Sequence, residues 1–249
     1  MNPSEKYLQF TRGEYTSSVD GMRDWYLFHP GAEPLCVVVL HGHGSHGDQL
    51  VVENWRERLK DWHACLLELG ASVLCPNLRD NAWMSAPAVE DLAALLRQLK
   101  AAHPWRRLVI ASGSMGGTGA FIFSIRHPEL VDGVVALGAA TSLKTYATWC
   151  GQPGRLPVVG NIPAAIRAAY PTEESLADHD VCAHAGRLAM PIIYYHGADD
   201  ELIPASEARN LAEKLKDKRD FSLKLVPGGD HDSPLPFFRE GLVTLLGGL

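Results

Sequence analysis

Ser114 lies in Ile110-Ala111-Ser112-Gly113-Ser114-Met115-Gly116-Gly117, between the apolar run Leu108–Ala111 and a helical pattern over Ala120–Ile125. Strand, tight turn and helix in that order put the hydroxyl at the apex of the turn. Small residues two before and two after it, Ser112 and Gly116, fit a turn so sharp that larger side chains would collide. Ser112 is the poorer nucleophile candidate because Ile110 lies two before it. The following helix aims its N-terminal N–H groups at the same point. No Gly-Lys-[Ser/Thr] follows, which argues against a nucleotide phosphate loop.

A serine hydroxyl is almost wholly un-ionised and needs a base within hydrogen-bond reach. Two downstream loops offer partners. His196-Gly197-Ala198-Asp199-Asp200-Glu201-Leu202-Ile203-Pro204 carries two candidate acids, and Pro227-Gly228-Gly229-Asp230-His231-Asp232 carries a candidate base. His231 would take the Ser114 proton and return it to the leaving group, and a carboxylate would orient the imidazole and stabilise its cation. His196 reads as structural, and Asp230 and Asp232 as solvated. His29, His63, His103, His127, His179 and His184 show no partner pattern.

The elements needed to position these groups are legible along the chain. A hairpin is expected over Tyr15–Ser18 and Trp25–Phe28, joined at Asp20-Gly21. Strands are expected at 36–40, 72–76, 107–111, 131–138, 191–195 and 221–226. Helices are expected over Val52–Leu69, Pro87–Ala102, Ser206–Leu215 and Leu235–Leu246, with Trp55, Leu59, Trp62 and Leu66 forming a core-facing stripe on the first. Alternating strands and helices imply a mostly parallel sheet covered on both faces, with functional loops at the strand carboxyl ends. Residues 141–189 break the rhythm and read as an irregular cap, with a short helix near Ile162–Ala169, on a single domain spanning 1–249. Trp83, Tyr146, Trp149 and Tyr170 fall in loops or in this cap and are candidate pocket residues.

At these residues the chain resembles the α/β-hydrolase superfamily. The likeness rests on Leu40-His41-Gly42-His43-Gly44, Ser112-Gly113-Ser114-Met115-Gly116, His196-Gly197-x-x-Asp200-x-x-Ile203-Pro204 and Gly228-Gly229-x-His231. It implies the α/β-hydrolase fold, Asp200 rather than Asp199 as the acid, and an oxyanion hole from the backbone N–H groups of His43 and Met115. It also implies a cofactor-independent serine hydrolase acting on small-molecule carboxylic esters, with amide or peptide bonds as the alternative substrate. Within the superfamily, small esterases and prolyl-oligopeptidase-like proteins are the nearest in pattern.

Composition sets bounds. The chain has 249 residues, 46% of them apolar and 21% charged, with a formal net charge of −6 and no basic run. Nucleic acid is therefore not an expected partner. No apolar run suffices to span a bilayer, and Met1–Tyr7 lacks the pattern of a leader. Five cysteines without CxxC spacing suit buried free thiols in a reducing cytoplasm. Two other readings compete. His41, His43 and His46 have the spacing of a zinc-hydrolase motif but lack its aspartate, and a non-catalytic binding protein could use the same scaffold.

The choice between the adjacent acids is testable. Asp200→Asn should cut kcat on an aryl ester by about a thousandfold or more, and Asp199→Asn should leave it within about twofold. Steady-state kinetics of the two variants read this directly, and the reverse ranking would move the acid to Asp199.

Overall fold

The computed structural model describes residues 7–249, so the leader reading of the first six lies outside it. Eight strands form one sheet: β1 (Thr11–Thr16), β2 (Arg23–His29), β3 (Leu35–Val38), β4 (Ser72–Pro76), β5 (Arg107–Gly113), β6 (Gly133–Leu137), β7 (Ile192–Gly197) and β8 (Phe221–Val226). Their spatial order is β1-β2-β4-β3-β5-β6-β7-β8. The β1–β2 hairpin and the β2–β4 pair are antiparallel, and every later pair is parallel. β3, β4 and β6 are buried along their whole length, as expected of strands covered on both faces. This is the α/β-hydrolase fold.

The helices are α1 (Glu53–Arg58), α2 (Lys60–Glu68), α3 (Ala86–Ala102), α4 (Met115–Arg126), α5 (Leu143–Cys150), α6 (Ile162–Ala169), α7 (Glu173–Ala177), α8 (Ser206–Lys214) and α9 (Phe238–Gly247). Two buried clusters result, one on each sheet face. One joins α3, α4, α8 and the segment between β6 and β7, and the other joins α2 and α9. α4 is buried almost throughout, from Met115 to Ile125. A helix apolar all round belongs in a core.

One expected helix is two. The run 52–69 breaks at Leu59, whose φ of −103° and ψ of 19° leave the helical region. α2 buries Trp62, His63, Cys65 and Leu66, while α1 buries nothing. The break lets α1 turn away from the core and run along the rim of the cavity described below. The expected closing helix begins later than its sequence pattern, with a single 3-10 turn over Leu235–Phe237 preceding α9.

The segment between β6 and β7 is less irregular than its composition suggests, since it carries α5, α6 and α7. Its start is fixed by a residue the sequence did not single out. Glu207 on α8 is buried, and its Oε2 accepts from the N–H groups of Thr141 (2.7 Å) and Ser142 (2.8 Å). Burial raises its pKa, and the two backbone donors act against that rise.

All five cysteines are free, and all but Cys182 are buried. No helix among the described residues is long and apolar enough to cross a membrane.

Removing the Glu207 acceptor strands two buried N–H groups, each costing about 1–3 kcal/mol. Glu207→Ala should therefore lower unfolding stability by about 2–4 kcal/mol, and Glu207→Gln, which keeps an acceptor oxygen, by less than half of that. Urea unfolding midpoints at constant m-value measure both.

Candidate active site

Ser114 sits between β5 and α4 with φ 56° and ψ −130°, a conformation that a non-glycine residue adopts only under constraint. The constraints are visible. Ser114 N–H donates to Leu137 O at 2.8 Å, and Ser114 O accepts from Thr118 N–H at 3.1 Å. A Cβ on Gly116 would lie 2.3 Å from Leu40 O, so the chain just beyond β3 excludes any side chain there. The small flanking residues thus answer to Leu40 as well as to each other. Ser112 accepts Leu40 N–H on its Oγ at 2.7 Å.

The three distant loops meet. Ser114 Oγ lies 3.0 Å from His231 Nε2, and His231 Nδ1 lies 2.7 Å from Asp200 Oδ2. With Nδ1–H donating to the carboxylate, Nε2 is left to accept from the serine. Asp200 is buried, and its Oδ1 accepts from Leu202 N–H and Ile203 N–H, both at 2.8 Å. Asp199 is exposed, and its N–H donates to Gly229 O. The acid and histidine loops are laced together at that bond. Gly197 permits it, since a Cβ there would stand 2.1 Å from Asp230 O.

His196 is fully buried, with Nε2 2.9 Å from Ile203 O and Nδ1 3.0 Å from Tyr194 Oη. It braces the acid loop away from Ser114, in keeping with a structural reading. Asp230 tightens the histidine loop by accepting Asp232 N–H and Ser233 N–H on Oδ1. Asp232 is only partly solvated and pairs with Arg58 of α1 across the cavity rim. Trp62 also holds this loop, donating Nε1–H to Leu235 O at 3.0 Å.

The loop after β3 passes Ser114 on the opposite side. Gly42 N–H is taken by Gln49 Oε1 at 2.8 Å. His43 N–H has no hydrogen-bond partner among the described residues, and Met115 opens α4, where the first N–H groups lack intrahelical acceptors. Both expected oxyanion donors are therefore free to receive a ligand oxygen. Gln49, which fixes the loop carrying His43, has no sequence signature beyond its place seven residues after Gly42.

The ring of His43, given a role only in the zinc alternative, is a junction. Trp83 Nε1–H donates to His43 Nδ1 at 3.2 Å, and His43 Nε2–H donates to Asn161 Oδ1 at 3.1 Å. Partial burial lowers the His43 pKa, which suits the neutral ring this pattern requires. His41 places its ring nitrogens 2.9 Å from Gly42 O and 2.8 Å from Asn77 O, and His46 Nδ1 lies 2.8 Å from Asp80 Oδ1. The three imidazoles of the zinc alternative are thus engaged separately. Among the described residues, no group of three or more His, Cys, Asp or Glu side chains stands together as a metal site.

A cavity of about 310 Å³ opens beside Ser114. Of the four expected pocket aromatics only Tyr146 lines it, its Oη donating to Leu202 O. Trp83 stands behind His43, Trp149 stacks on Tyr146 from outside, and Tyr170 donates its Oη to Trp83 O. These three support the wall instead of forming it. Trp55 and Trp62 line the cavity as well; Trp62 is at the same time part of the buried core, as expected, and Trp55 packs against that core. The helix break at Leu59 is the cause, since it turns their face toward the opening.

Comparisons with known proteins agree with this architecture. Residues 36–158 match a family described as alpha/beta hydrolase fold. The chain has the α/β-hydrolase fold. It is similar to a monoacylglycerol lipase of Mycolicibacterium smegmatis, 24% identical over 267 aligned positions covering 89% of this chain and 91% of that one. Among solved structures it resembles the esterase Pf2001 of Pyrococcus furiosus, with a TM-score of 0.71, 18% identity, and coverage of 100% of this chain and 94% of that one. It also resembles a puromycin-hydrolyzing peptidase of Mycobacterium tuberculosis, with a TM-score of 0.76 and 17% identity, matching all of this chain but 40% of that larger one.

Gln49 gives a test of the loop. Gln49→Leu frees Gly42 N–H and loosens His43, so kcat should fall by about tenfold with little change in KM, the signature of lost transition-state contact. An unchanged kcat would mean that the loop holds its shape without Gln49.

Proposed function

We propose that the protein is a serine hydrolase that cleaves carboxylic esters of small or medium size through an acyl-enzyme on Ser114. The observation that carries this reading is the continuous hydrogen-bonded line from Ser114 Oγ through His231 to Asp200, at 3.0 and 2.7 Å. Ser114 Oγ attacks the ester carbonyl while His231 Nε2 takes its proton. The carbonyl oxygen becomes an oxyanion facing the His43 and Met115 N–H groups, each such donor contributing roughly 3 kcal/mol. The carbon–alkoxide bond breaks, and the alkoxide oxygen leaves with the proton from His231. Water then attacks the acyl carbon, giving its proton to His231. The Oγ–carbon bond breaks, and the proton returns to Ser114. No metal or cofactor enters these steps.

The mostly apolar cavity suits an uncharged ester. The two similar proteins named as an esterase and a lipase point to the same bond class, and the one named as a peptidase keeps an amide as the second substrate to test. Four buried free thiols suit a reducing compartment, and we assign the enzyme to the cytoplasm on that ground.

Ser114→Ala should lower turnover of a short-chain aryl ester by about ten-thousandfold while leaving the unfolding midpoint unchanged, and a chelator should have no effect on the parent enzyme. Normal turnover by Ser114→Ala, or loss of activity to the chelator, would overturn the assignment.

A further inference from the structure

His43 stands between two glycines, Gly42 and Gly44, and Gly44 takes a φ of 78°. Glycine leaves the backbone on either side freer than another residue would, so the direction of the His43 N–H must be set by contacts. Some come from nearby backbone. Gly42 O accepts Ser45 N–H at 3.1 Å and lies 2.9 Å from His41 Nδ1. These hold the carbonyl end of the peptide whose other end is the His43 N–H. Gly44 N–H is taken by Asn81 Oδ1 at 2.7 Å.

The remaining hold comes through the His43 ring. Trp83 Nε1–H donates to Nδ1 at 3.2 Å, which places the ring proton on Nε2, and Nε2–H donates to Asn161 Oδ1 at 3.1 Å. The two bonds grip opposite ends of the imidazole. Trp83 is buried and anchored in turn, its carbonyl accepting Tyr170 Oη–H at 2.7 Å. Asn161 is exposed and precedes α6, in the segment between β6 and β7.

The Asn161 side chain is not used where its position in the chain would put it. Asparagine just before a helix is among the best capping residues, yet Asn161 makes no capping bond to α6. Its oxygen faces a ring 118 residues away instead. Val159 and Ile162, to either side of it, line the cavity. One short stretch of chain therefore forms part of the cavity wall and holds the His43 ring.

We propose that Asn161 is a positioning residue for the oxyanion: by fixing the far side of the His43 ring it fixes the His43 N–H, so the segment between β6 and β7 shares with the sheet in setting the transition-state geometry. The inference rests on the ester-hydrolase reading above. Asn161 touches no reacting atom. Its contribution falls on kcat, because the oxyanion exists in the transition state and not in the bound ester.

The test is a double-mutant cycle on p-nitrophenyl butyrate hydrolysis with Asn161→Ala, His43→Leu and the pair. Asn161→Ala should lower kcat by about fivefold with KM within about twofold, the pattern of a contact felt in the transition state. Its urea unfolding midpoint should stay in place, since no capping bond is lost. His43→Leu has no ring nitrogen for Asn161 to hold. Adding Asn161→Ala to it should change kcat by less than about 1.5-fold, the non-additivity of residues that act through one another. His43→Ala takes its place in the cycle if His43→Leu does not fold. An unchanged kcat in Asn161→Ala, a rise in KM alone, or a loss of equal size in both backgrounds overturns the proposal. Labelling of the parent enzyme by a small fluorophosphonate, mapped to Ser114, reads the nucleophile separately. Labelling together with any of those results defeats the positioning role alone. Absence of both labelling and ester turnover defeats the ester-hydrolase reading, and the proposal with it.

Discussion

The structure depends on one strained residue. At φ 56° and ψ −130°, Ser114 occupies backbone space that costs on the order of 1–3 kcal/mol. That cost is met by contacts on three sides: Leu137 O below, the first turn of α4 ahead, and the chain just beyond β3 alongside. Leu40 is the common neighbour. Its N–H is fixed by Ser112, and its carbonyl excludes any side chain at Gly116. The same contact that holds the turn therefore also sets where the loop after Leu40 begins. Ser114, His43 and Met115 are positioned by one piece of packing.

Asp200 and His231 are coupled in a different way. Their loops follow neighbouring strands, β7 and β8, and are tied by short backbone bonds, Ala198 N–H to Val226 O and Asp199 N–H to Gly229 O, both 2.9 Å. Gly197 allows the approach. His196, buried behind, fixes the carbonyl of Ile203, and Ile203 N–H in turn fixes Asp200. Asp200 Oδ1 is fully used by its own loop, which leaves Oδ2 for His231. On the far side of His231, Trp62 and Arg58 hold the residues that follow it. The imidazole thus hangs between two anchored loops.

Much of this was legible in the sequence because local rules coincide there with tertiary demand. A Ser-centred strand–turn–helix, apolar strand runs and Gly-rich loops after them are each constrained by steric limits that operate over a few residues. The cavity lining was hidden for the opposite reason. Trp55, Leu59 and Trp62 recur at helical spacing and read as a core stripe, and nothing local marks Leu59 as the point where the helix breaks. Trp83 and Tyr170 misled in the other direction: aromatic residues in loops suggested a pocket wall, yet both serve to brace His43 and its loop. Gln49 and Glu207 carry no motif at all. Their roles exist only because distant chain segments bring unpaired N–H groups to them.

The most direct measurement is a crystal structure of the enzyme inactivated by an alkyl phosphonate, a mimic of the tetrahedral intermediate. The account predicts a covalent bond from phosphorus to Ser114 Oγ, with the phosphoryl oxygen within hydrogen-bond reach of both His43 N–H and Met115 N–H. Phosphorus on another residue, or a phosphoryl oxygen turned away from those two donors, would contradict it.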